Sequence, residues 1–360
     1  MFPRQFFGIK SGGRLLSHFF ECKSEVSRRW ISLLQELKAA LPKTKVLALD
    51  VSCDLKLKPL DPHSMVDDSI IARAYGPEGS EFFMQLTDLE NVSVFAARST
   101  ALQGVKRPLV EVEIPVSCDV DIYSRLGNVS VESFVSNHLS VDAENGDVTC
   151  KKLKCGKMLL RSHSGSVNCE GMLLGNIKIR AGKLGVITGV NFQGDLLEAE
   201  TDDGEIVITS VYSDRSFFTT KKGSINLKSL HRKSSVAIQE GNISILGLDG
   251  SLEARVDTGN VKLQVTQLIE DSFIETKNGD VSLSMANDNV CLLDLLAKDI
   301  VILDDSLSSS GRIEPSSSLK LFRSSPKNDE TPAVMKVICE KGEVCLKEES
   351  WISSLKIGGR

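Results

Sequence analysis

Long hydrophobic runs and aromatic residues are scarce in this chain. No uninterrupted apolar segment approaches the ~20 residues that a membrane-spanning helix needs, so we predict no transmembrane segment. Only 5% of the residues are aromatic although 41% are hydrophobic, so a core would consist mainly of valine, isoleucine and leucine. The net charge is −5, and the absence of a basic stripe argues against a nucleic-acid partner.

Sequence signatures of catalysis are also missing. The chain has no phosphate loop, no dinucleotide-binding fingerprint and no serine nucleophile elbow. Five histidines are present, and their spacing predicts no catalytic triad: His18, His63, His138, His163 and His231. Neighbouring carboxylates such as Asp202-Asp203 and Asp304-Asp305 could form an acid and base pair for glycoside hydrolysis, but acidic pairs are more typical of solvated turns. We predict no catalytic and no cofactor-binding residues, and no cofactor.

The nine cysteines are odd in number and scattered, which favours reduced thiols over a secreted disulfide framework. Cys150 and Cys169 take the same inward position in adjacent repeats, where they are expected to pack as small hydrophobic side chains. Two groups have loose spacings unlike paired zinc-ligand motifs: Cys150, Cys155 and His163, and separately Cys339 and Cys345. We therefore predict no metal site.

A short motif returns about every nineteen residues between Gly127 and Gly279. It consists of a glycine, a residue that is usually polar, and then alternating apolar and polar positions. Self-similarity at this period is typical of a solenoid, in which each unit buries its apolar face by stacking on its neighbours. The copies are Gly127-Asn-Val-Ser-Val, Gly146-Asp-Val-Thr-Cys, Gly165-Ser-Val-Asn-Cys, Gly204-Glu-Ile-Val-Ile, Gly223-Ser-Ile-Asn-Leu, Gly241-Asn-Ile-Ser-Ile, Gly259-Asn-Val-Lys-Leu and Gly279-Asp-Val-Ser-Leu.

Two more apolar strips recur, one of them in several of the coils. One strip precedes the next glycine, as in Leu139 and Val141. The other predicts a buried column seven residues after the glycine: Phe134, Leu153, Met172, Phe192, Val211, Leu230 and Leu248. Alternation of period two indicates strands rather than helices. We therefore predict an all-β, single-stranded β-solenoid (β-helix) with coils of about 19 residues. Two coils look irregular, since Gly185 is out of step and Asp299 stands where a glycine is expected.

The N-terminus differs from the rest of the chain. Residues 1–20 hold Arg4, Lys10 and Arg14 among phenylalanines and leucines, without any acid. This composition is typical of a mitochondrial transit peptide, and an ordinary amphipathic tail is the alternative. The following segment, from a possible N-cap at Ser24 to Pro42, has helical spacing of its apolar residues. We predict a short N-terminal helix there, either as a cap on the first coil or as the end of a presequence.

The predicted organisation has five parts. At the far end, Gly342-Glu-Val-Cys-Leu repeats the motif after a serine- and proline-rich break, and residues 351–355 are expected to help cover the last coil. The parts are residues 1–23 as transit peptide, 24–42 as helix, 45–303 as β-solenoid, 304–332 as Ser/Pro-rich loop, and 333–360 as final coil and C-terminal cap.

Two segments carry a resemblance to a known family. Val110-Glu-Val-Glu-Ile-Pro-Val, followed by Val120-Asp-Ile-Tyr and Gly127-Asn-Val-Ser-Val, resembles the first coils of the putative-adhesin family, a β-solenoid domain of unknown function. The segment Leu55-Lys-Leu-Lys-Pro-Leu-Asp-Pro-His is similar to a vertebrate member. The resemblance covers roughly residues 45–350 and implies a β-solenoid, with no agreed catalytic residues to carry over.

These observations favour a non-catalytic scaffold that binds a protein partner, with mitochondria, specifically the matrix, as the expected location and the cytoplasm as the alternative. Two other hypotheses stay open: a carbohydrate-active β-helix enzyme, and a structural element that self-associates end to end. The enzyme hypothesis requires carboxylates and an arginine to converge in a groove.

Overall fold

The computed structural model describes residues 32–41, 46–61, 68–77, 81–89, 92–99, 107–286, 291–304, 307, 309, 311–316, 318–324 and 332–349. These residues form one sheet of 23 strands that winds as a solenoid. The first strands are β1 Ser32–Ala40, β2 Val46–Val51, β3 Asp54–Pro59, β4 Ser69–Gly76, β5 Phe82–Asp88, β6 Val92–Ser99, β7 Leu109–Ile114 and β8 Val120–Ser124. The central strands are β9 Val129–Glu132, β10 Val135–Ala143, β11 Val148–Ser162, β12 Val167–Ala181, β13 Ile187–Thr201, β14 Ile206–Lys222, β15 Ile225–Glu240, β16 Ile243–Thr258, β17 Val261–Leu268, β18 Ser272–Asn278 and β19 Val281–Met285. The last strands are β20 Leu292–Ile302, β21 Gly311–Ser316, β22 Leu319–Ser324 and β23 Val334–Glu348.

The long central strands each bend around most of one coil. In β11 the inward and outward alternation breaks near residues 151–152 and again near 156–157, so the coil has three faces. We call residues 148–151 and their equivalents the first face, residues 153–155 the second face, and residues 157–162 the third face. Successive coils pair in parallel, as Val148 with Val167 and Val167 with Ile187. The predicted all-β solenoid with coils of about nineteen residues is confirmed.

The repeated glycines form a ladder at the corner between the third and first faces. Gly223, with φ of +134°, lies so close to the coil before it that an added Cβ would be 2.2 Å from the carbonyl oxygen of Gly204. Only a residue without a side chain fits this approach and this φ. The same contact, each glycine against the glycine of the preceding coil, is made by Gly146, Gly165, Gly185, Gly204, Gly241, Gly259, Gly279 and Gly342.

The polar residue after the glycine has a structural role. Its side-chain oxygen accepts a hydrogen bond from the backbone N–H of the equivalent residue in the next coil, so a backbone donor at the corner gains a partner. These bonds run from Asn128 N to Asp54 Oδ1 (2.9 Å), Asp147 N to Asn128 Oδ1 (2.9 Å), Ser166 N to Asp147 Oδ1 (2.8 Å), Asn260 N to Asn242 Oδ1 (2.8 Å), Asp280 N to Asn260 Oδ1 (2.9 Å) and Glu343 N to Asp280 Oδ1 (3.0 Å). The most conspicuous motif of the sequence therefore builds the corner of the solenoid.

The predicted buried column seven residues after the glycine needs one correction. Met172 is 45% exposed, and Leu173 takes the core position beside Leu153 and Phe192. The cause is Gly171, whose φ of +71° accompanies a register shift between β11 and β12 and moves the inward position on by one residue. The other predicted members of the column are buried.

Two coils that the sequence indicated as irregular follow the common pattern more closely in the structure. Gly185 stacks between Gly165 and Gly204 in the corner ladder, so the prediction that it is out of step is wrong. Asp299 lies beside Glu343 and therefore takes the position after the glycine, not that of the glycine. Asp299 Oδ1 accepts a bond from its neighbour Ile300 N (2.8 Å).

Coil order at the N-terminal end does not follow chain order. β2 pairs in parallel with both β6 and β8, and β3 pairs with both β7 and β9. The earliest coil is therefore held between two later ones. Antiparallel strands close this end, because β5 lies on β6, β4 on β7, and β1 on β4.

The short N-terminal helix predicted over residues 24–42 is wrong for the residues that the structure describes, since residues 32–40 are strand β1. A β-bulge between Leu33 and Gln35 lets both Leu34 and Leu37 pack against the core. These two leucines are three residues apart, and this spacing led to the prediction of a helix. Pairing with β4 satisfies the backbone groups along one edge of this strand. Residues 24–31, and the predicted transit peptide, lie outside the described residues.

The C-terminal end has the same interlocked order. β23 pairs with β18 and β19 on one side and with β20 on the other, so the last coil in sequence lies inside the one before it. Within the segment 304–332, expected as a loop, β21 and β22 form an antiparallel hairpin that pairs with β20. Pro315 in the outermost strand, β21, lacks a backbone donor, so this edge is less able to pair with a further strand. The segment 351–355, expected as a cover, lies outside the described residues.

Candidate functional site

Many charged side chains on the outer faces pair with an opposite charge on the neighbouring coil. Lys178 Nζ lies 2.8 Å from Glu198 Oε2, and Arg180 lies 3.5 Å from Glu200. These ladders follow from the parallel register, which places equivalent residues of adjacent coils side by side. Exposed pairs of this kind stabilise only weakly, so the ladders define a charge pattern rather than a reactive centre.

The candidate carboxylate pairs have structural partners. Lys221 Nζ donates to Asp202 Oδ1 at 2.7 Å, and this bond lowers the pKa of Asp202, whereas a general acid in a glycosidase needs a raised pKa. Asp304 accepts a bond from Glu348 N at 2.5 Å. Asp305 lies outside the described residues. The bond from Lys221 therefore gives Asp202 a structural role.

The cysteines of the described segments are free thiols, and several are buried. Cys150 and Cys169 are register partners inside the solenoid, as predicted from the repeat. Burial raises the pKa of Cys169 to about 12 and that of Cys150 well above its ordinary value. His163 instead projects outward and bonds to Asp142 at 2.8 Å, so the loose group of Cys150, Cys155 and His163 is not gathered. Across the described part of the chain, no set of three potential ligands could hold a metal ion.

Histidines in the described segments each pair with an aspartate of a neighbouring coil. His138 Nε2 lies 3.0 Å from Asp121 Oδ1, and His163 Nε2 lies 2.8 Å from Asp142 Oδ1. His231 differs because both of its ring nitrogens have side-chain partners. His18 and His63 lie outside the described residues.

His231 links a serine and an aspartate on the second face. Its Nε2 lies 3.1 Å from Ser229 Oγ, and its Nδ1 lies 3.1 Å from Asp249 Oδ2. When Nδ1 donates its proton to the carboxylate, Nε2 is left as an acceptor for the serine hydroxyl. Tyr212 of the preceding coil stacks on the imidazole, with ring centroids 4.2 Å apart and an interplanar angle of 17°. We call these four residues the Ser229 cluster.

The Ser229 cluster contains residues that spacing along the chain did not reveal. Tyr212, His231 and Asp249 each stand eight residues after the glycine of their coil, and Ser229 stands six after its own. Aligning the coils on their glycines would have placed the aromatic ring, the imidazole and the carboxylate in one column. The sequence therefore held a signal that only the alignment of coils could expose.

Shallow grooves also open on the outer faces. One of about 350 Å³ on the third face is lined by Phe217 and Phe273, with Ser235 and Glu253 between them in register. Phe217 is 42% exposed. Two large rings separated by smaller side chains leave a space that an apolar side chain can fill. We call it the phenylalanine groove.

Comparison with known proteins identifies the family of this chain. The sequence profile described as Toastrack DUF4097 matches residues 83–228 and 175–299. Similar solved structures include a "putative adhesin" from Bacteroides fragilis NCTC 9343 (10% identity, TM-score 0.28, covering 88% of this chain and 96% of that chain) and a "putative adhesin" from Parabacteroides merdae ATCC 43184 (11% identity, TM-score 0.30, 89% and 96%). A "putative lipid binding protein" from Parabacteroides distasonis ATCC 8503 is 9% identical with a TM-score of 0.34, covering 86% and 96%.

A search for membrane-spanning helices over the described segments finds none long and apolar enough. The profile matches together extend over residues 83–299, more than half of the chain, and they agree with the resemblance seen in the first coils. The chain belongs to the Toastrack DUF4097 family.

Proposed function

We propose that this protein is a β-solenoid scaffold that binds a protein partner on its third face. The observation that carries the proposal is the phenylalanine groove, where Phe217 and Phe273 leave exposed apolar surface on a rigid parallel sheet. Apolar anchors that fill such spaces supply much of the energy of protein interfaces. Binding of this kind requires no chemistry at the groove.

The charges around the groove indicate the kind of segment that would fit. Arg215 and Lys233 line it on the coils of β14 and β15, whereas Glu253 and Asp271 line it on the two coils that follow. A partner segment with an apolar anchor, an acidic residue facing Arg215 and a basic residue facing Asp271 would complement this pattern.

The test compares two faces of the same molecule. A photoreactive side chain placed at Phe217 should cross-link one partner in cells, and the same group at Val190, which is 49% exposed on the first face, serves as the control. The double variant Phe217→Ser and Phe273→Ser should lose that partner while Val190→Ser retains it. Equal cross-linking at both positions, or retention of the partner by the double variant, would refute binding at this groove.

We further propose that the protein acts in the mitochondrial matrix. The support is the composition of residues 1–20, which combine three basic residues with phenylalanines and leucines and contain no acid. Fractionation with protease protection and mapping of the N-terminal peptide would test the proposal. A protected protein that starts between residues ~20 and 45 is expected, and an intact cytosolic N-terminus would contradict it. The similarity of residues 55–63 to a vertebrate member of the family also stays a prediction.

End-to-end self-association is the weaker alternative. Antiparallel strands cover the N-terminal end and part of the C-terminal end of the described solenoid, and Pro315 interrupts the edge of β21. Sedimentation at high concentration should therefore give a monomer. A reversible increase in mass with concentration would favour the alternative.

A further inference from the structure

The Ser229 cluster has the arrangement of groups that activates a serine in acyl transfer. A hydroxyl, an imidazole and a carboxylate are linked in that order by hydrogen bonds of 3.1 Å and 3.1 Å through the two ring nitrogens of His231. Such a set is recognised by geometry and not by the order of its residues along the chain. The scaffold function proposed above makes no use of this chemistry.

Two other histidines of this protein can be compared with His231. His138 and His163 are each held by an aspartate one coil away, and neither has a serine hydroxyl on its other ring nitrogen among the contacts of the described residues. An imidazole–aspartate pair is therefore a common feature of these outer faces. The addition of Ser229 is what distinguishes the cluster around His231.

No side chain stands beside Ser229 in the next coil. Gly247 occupies the position equivalent to Ser229 in that coil, and a Cβ placed there would lie 3.0 Å from the carbonyl oxygen of Lys228 and 3.9 Å from Ser229 Cα. Ser210 is the register partner of Ser229 on the other side. A flat acyl group can approach Ser229 from the solvent side over Gly247, where no side chain intervenes.

We propose that Ser229 is a nucleophile toward carboxylic esters, with His231 as general base and Asp249 as the group that orients the imidazole. Ser229 Oγ forms a bond to the ester carbonyl carbon while its proton passes to His231 Nε2. The carbon–oxygen bond to the alcohol then breaks, and the alcohol oxygen takes the proton from Nε2. Water attacks the acyl-serine by the same proton transfer, which releases the carboxylic acid and restores the hydroxyl.

Tyr212 sets the preferred acyl group. Its ring is 47% exposed and stacked on His231, so it offers a flat apolar wall next to the reacting atoms. Esters of short or aromatic acids fit such a wall better than highly charged ones. The site is exposed to solvent, so slow turnover with ready formation of a covalent adduct is expected.

The experiment uses the full-length protein and a fluorophosphonate probe, in which Ser Oγ bonds to phosphorus and fluoride leaves. Mass spectrometry should locate the adduct on Ser229. The variants Ser229→Ala and His231→Gln should abolish labelling, and Asp249→Asn should lower its rate at least tenfold. Ser210→Ala, one coil away in the same row, is the matched control and should label as the wild type does.

Hydrolysis of p-nitrophenyl acetate provides a second measurement. The wild type should release nitrophenol in a burst of about one equivalent, and Ser229→Ala should show none, with circular dichroism to verify that each variant is folded. A burst that persists in Ser229→Ala would mean that the imidazole reacts alone, and it would overturn the proposal. Absence of an adduct at Ser229, or labelling unaffected by His231→Gln or Asp249→Asn, would also overturn it.

Discussion

Replacing Gly223 by alanine tests the physical account of the corner ladder. Gly223 has φ of +134°, and a Cβ there would stand 2.2 Å from the carbonyl oxygen of Gly204 and 2.8 Å from its carbonyl carbon. Ordinary contact of a Cβ begins near 3.4 Å. The alanine must therefore push two coils apart in addition to adopting a disfavoured backbone conformation.

The expected cost has two parts. A left-handed backbone conformation costs an L-residue about 1–2 kcal/mol, and forcing an extra methyl group into packed structure costs about 1–3 kcal/mol. The lower chain entropy of unfolded alanine returns about 0.4–1 kcal/mol. We expect Gly223→Ala to lower the free energy of unfolding by about 3 kcal/mol, mainly through the contact between coils.

Gly171→Ala is the matched control for the backbone part alone. Gly171 has φ of +71°, but its Cβ would meet only the flexible Lys152 side chain, at 3.3 Å from Cγ. The Gly171→Ala variant should lose about 1 kcal/mol of the free energy of unfolding. Equilibrium urea unfolding gives both values, and hydrogen exchange of β14 and β15 locates the loosened coils. Equal losses in the two variants would show that contact between coils does not determine the glycine at this corner.

Three further predictions concern the corner, the core and the surface. Asn260→Ala removes the side-chain oxygen that accepts a hydrogen bond from the Asp280 backbone N–H, and it should cost about 1 kcal/mol in urea unfolding, whereas Asn226→Ala on the first face should cost less; equal losses would contradict the corner ladder. Iodoacetamide at pH 8 should alkylate the partly exposed Cys345 well before Cys169, because burial raises the pKa of Cys169 to about 12; similar rates by mass spectrometry would exclude this packing. Asp202→Asn should cost less than about 1 kcal/mol at pH 7, and since the pKa of Asp202 is lowered on folding, the difference should shrink as pH falls below its ordinary value of 3.8; a constant difference in acid unfolding would refute the ion pair.

The corners show why so much of the fold could be predicted. Each glycine and the polar residue after it meet the same neighbours in every coil, so the sequence repeats wherever the geometry repeats. The inward positions alternate with period two for the same reason. Local deviations, such as the bulge at Gly171 that exposes Met172, depend on register with the next coil and leave a weaker signal.

The Ser229 cluster could have been predicted from an alignment of the coils, but the spacing of its residues along the chain did not predict it. His231 and Asp249 are eighteen residues apart, and their contact exists because one coil separates them. Ser229 and Tyr212 reach the same imidazole from their own coil and from the preceding coil. Motif searches look for short local patterns, whereas this cluster is assembled across coils.

The sequence by itself determined the solenoid, its period, its buried columns and its corner glycines, because these depend on contacts that recur in every unit. Only the tertiary structure decided the strand order at the two ends of the solenoid and the assembly of the Ser229 cluster. Strands β2 and β3 lie between later coils, β23 lies inside β20, and residues 32–40 form a strand, since unpaired edges there require partners from distant parts of the chain. The Ser229 cluster arises in the same way, from side chains that meet only when the coils are stacked.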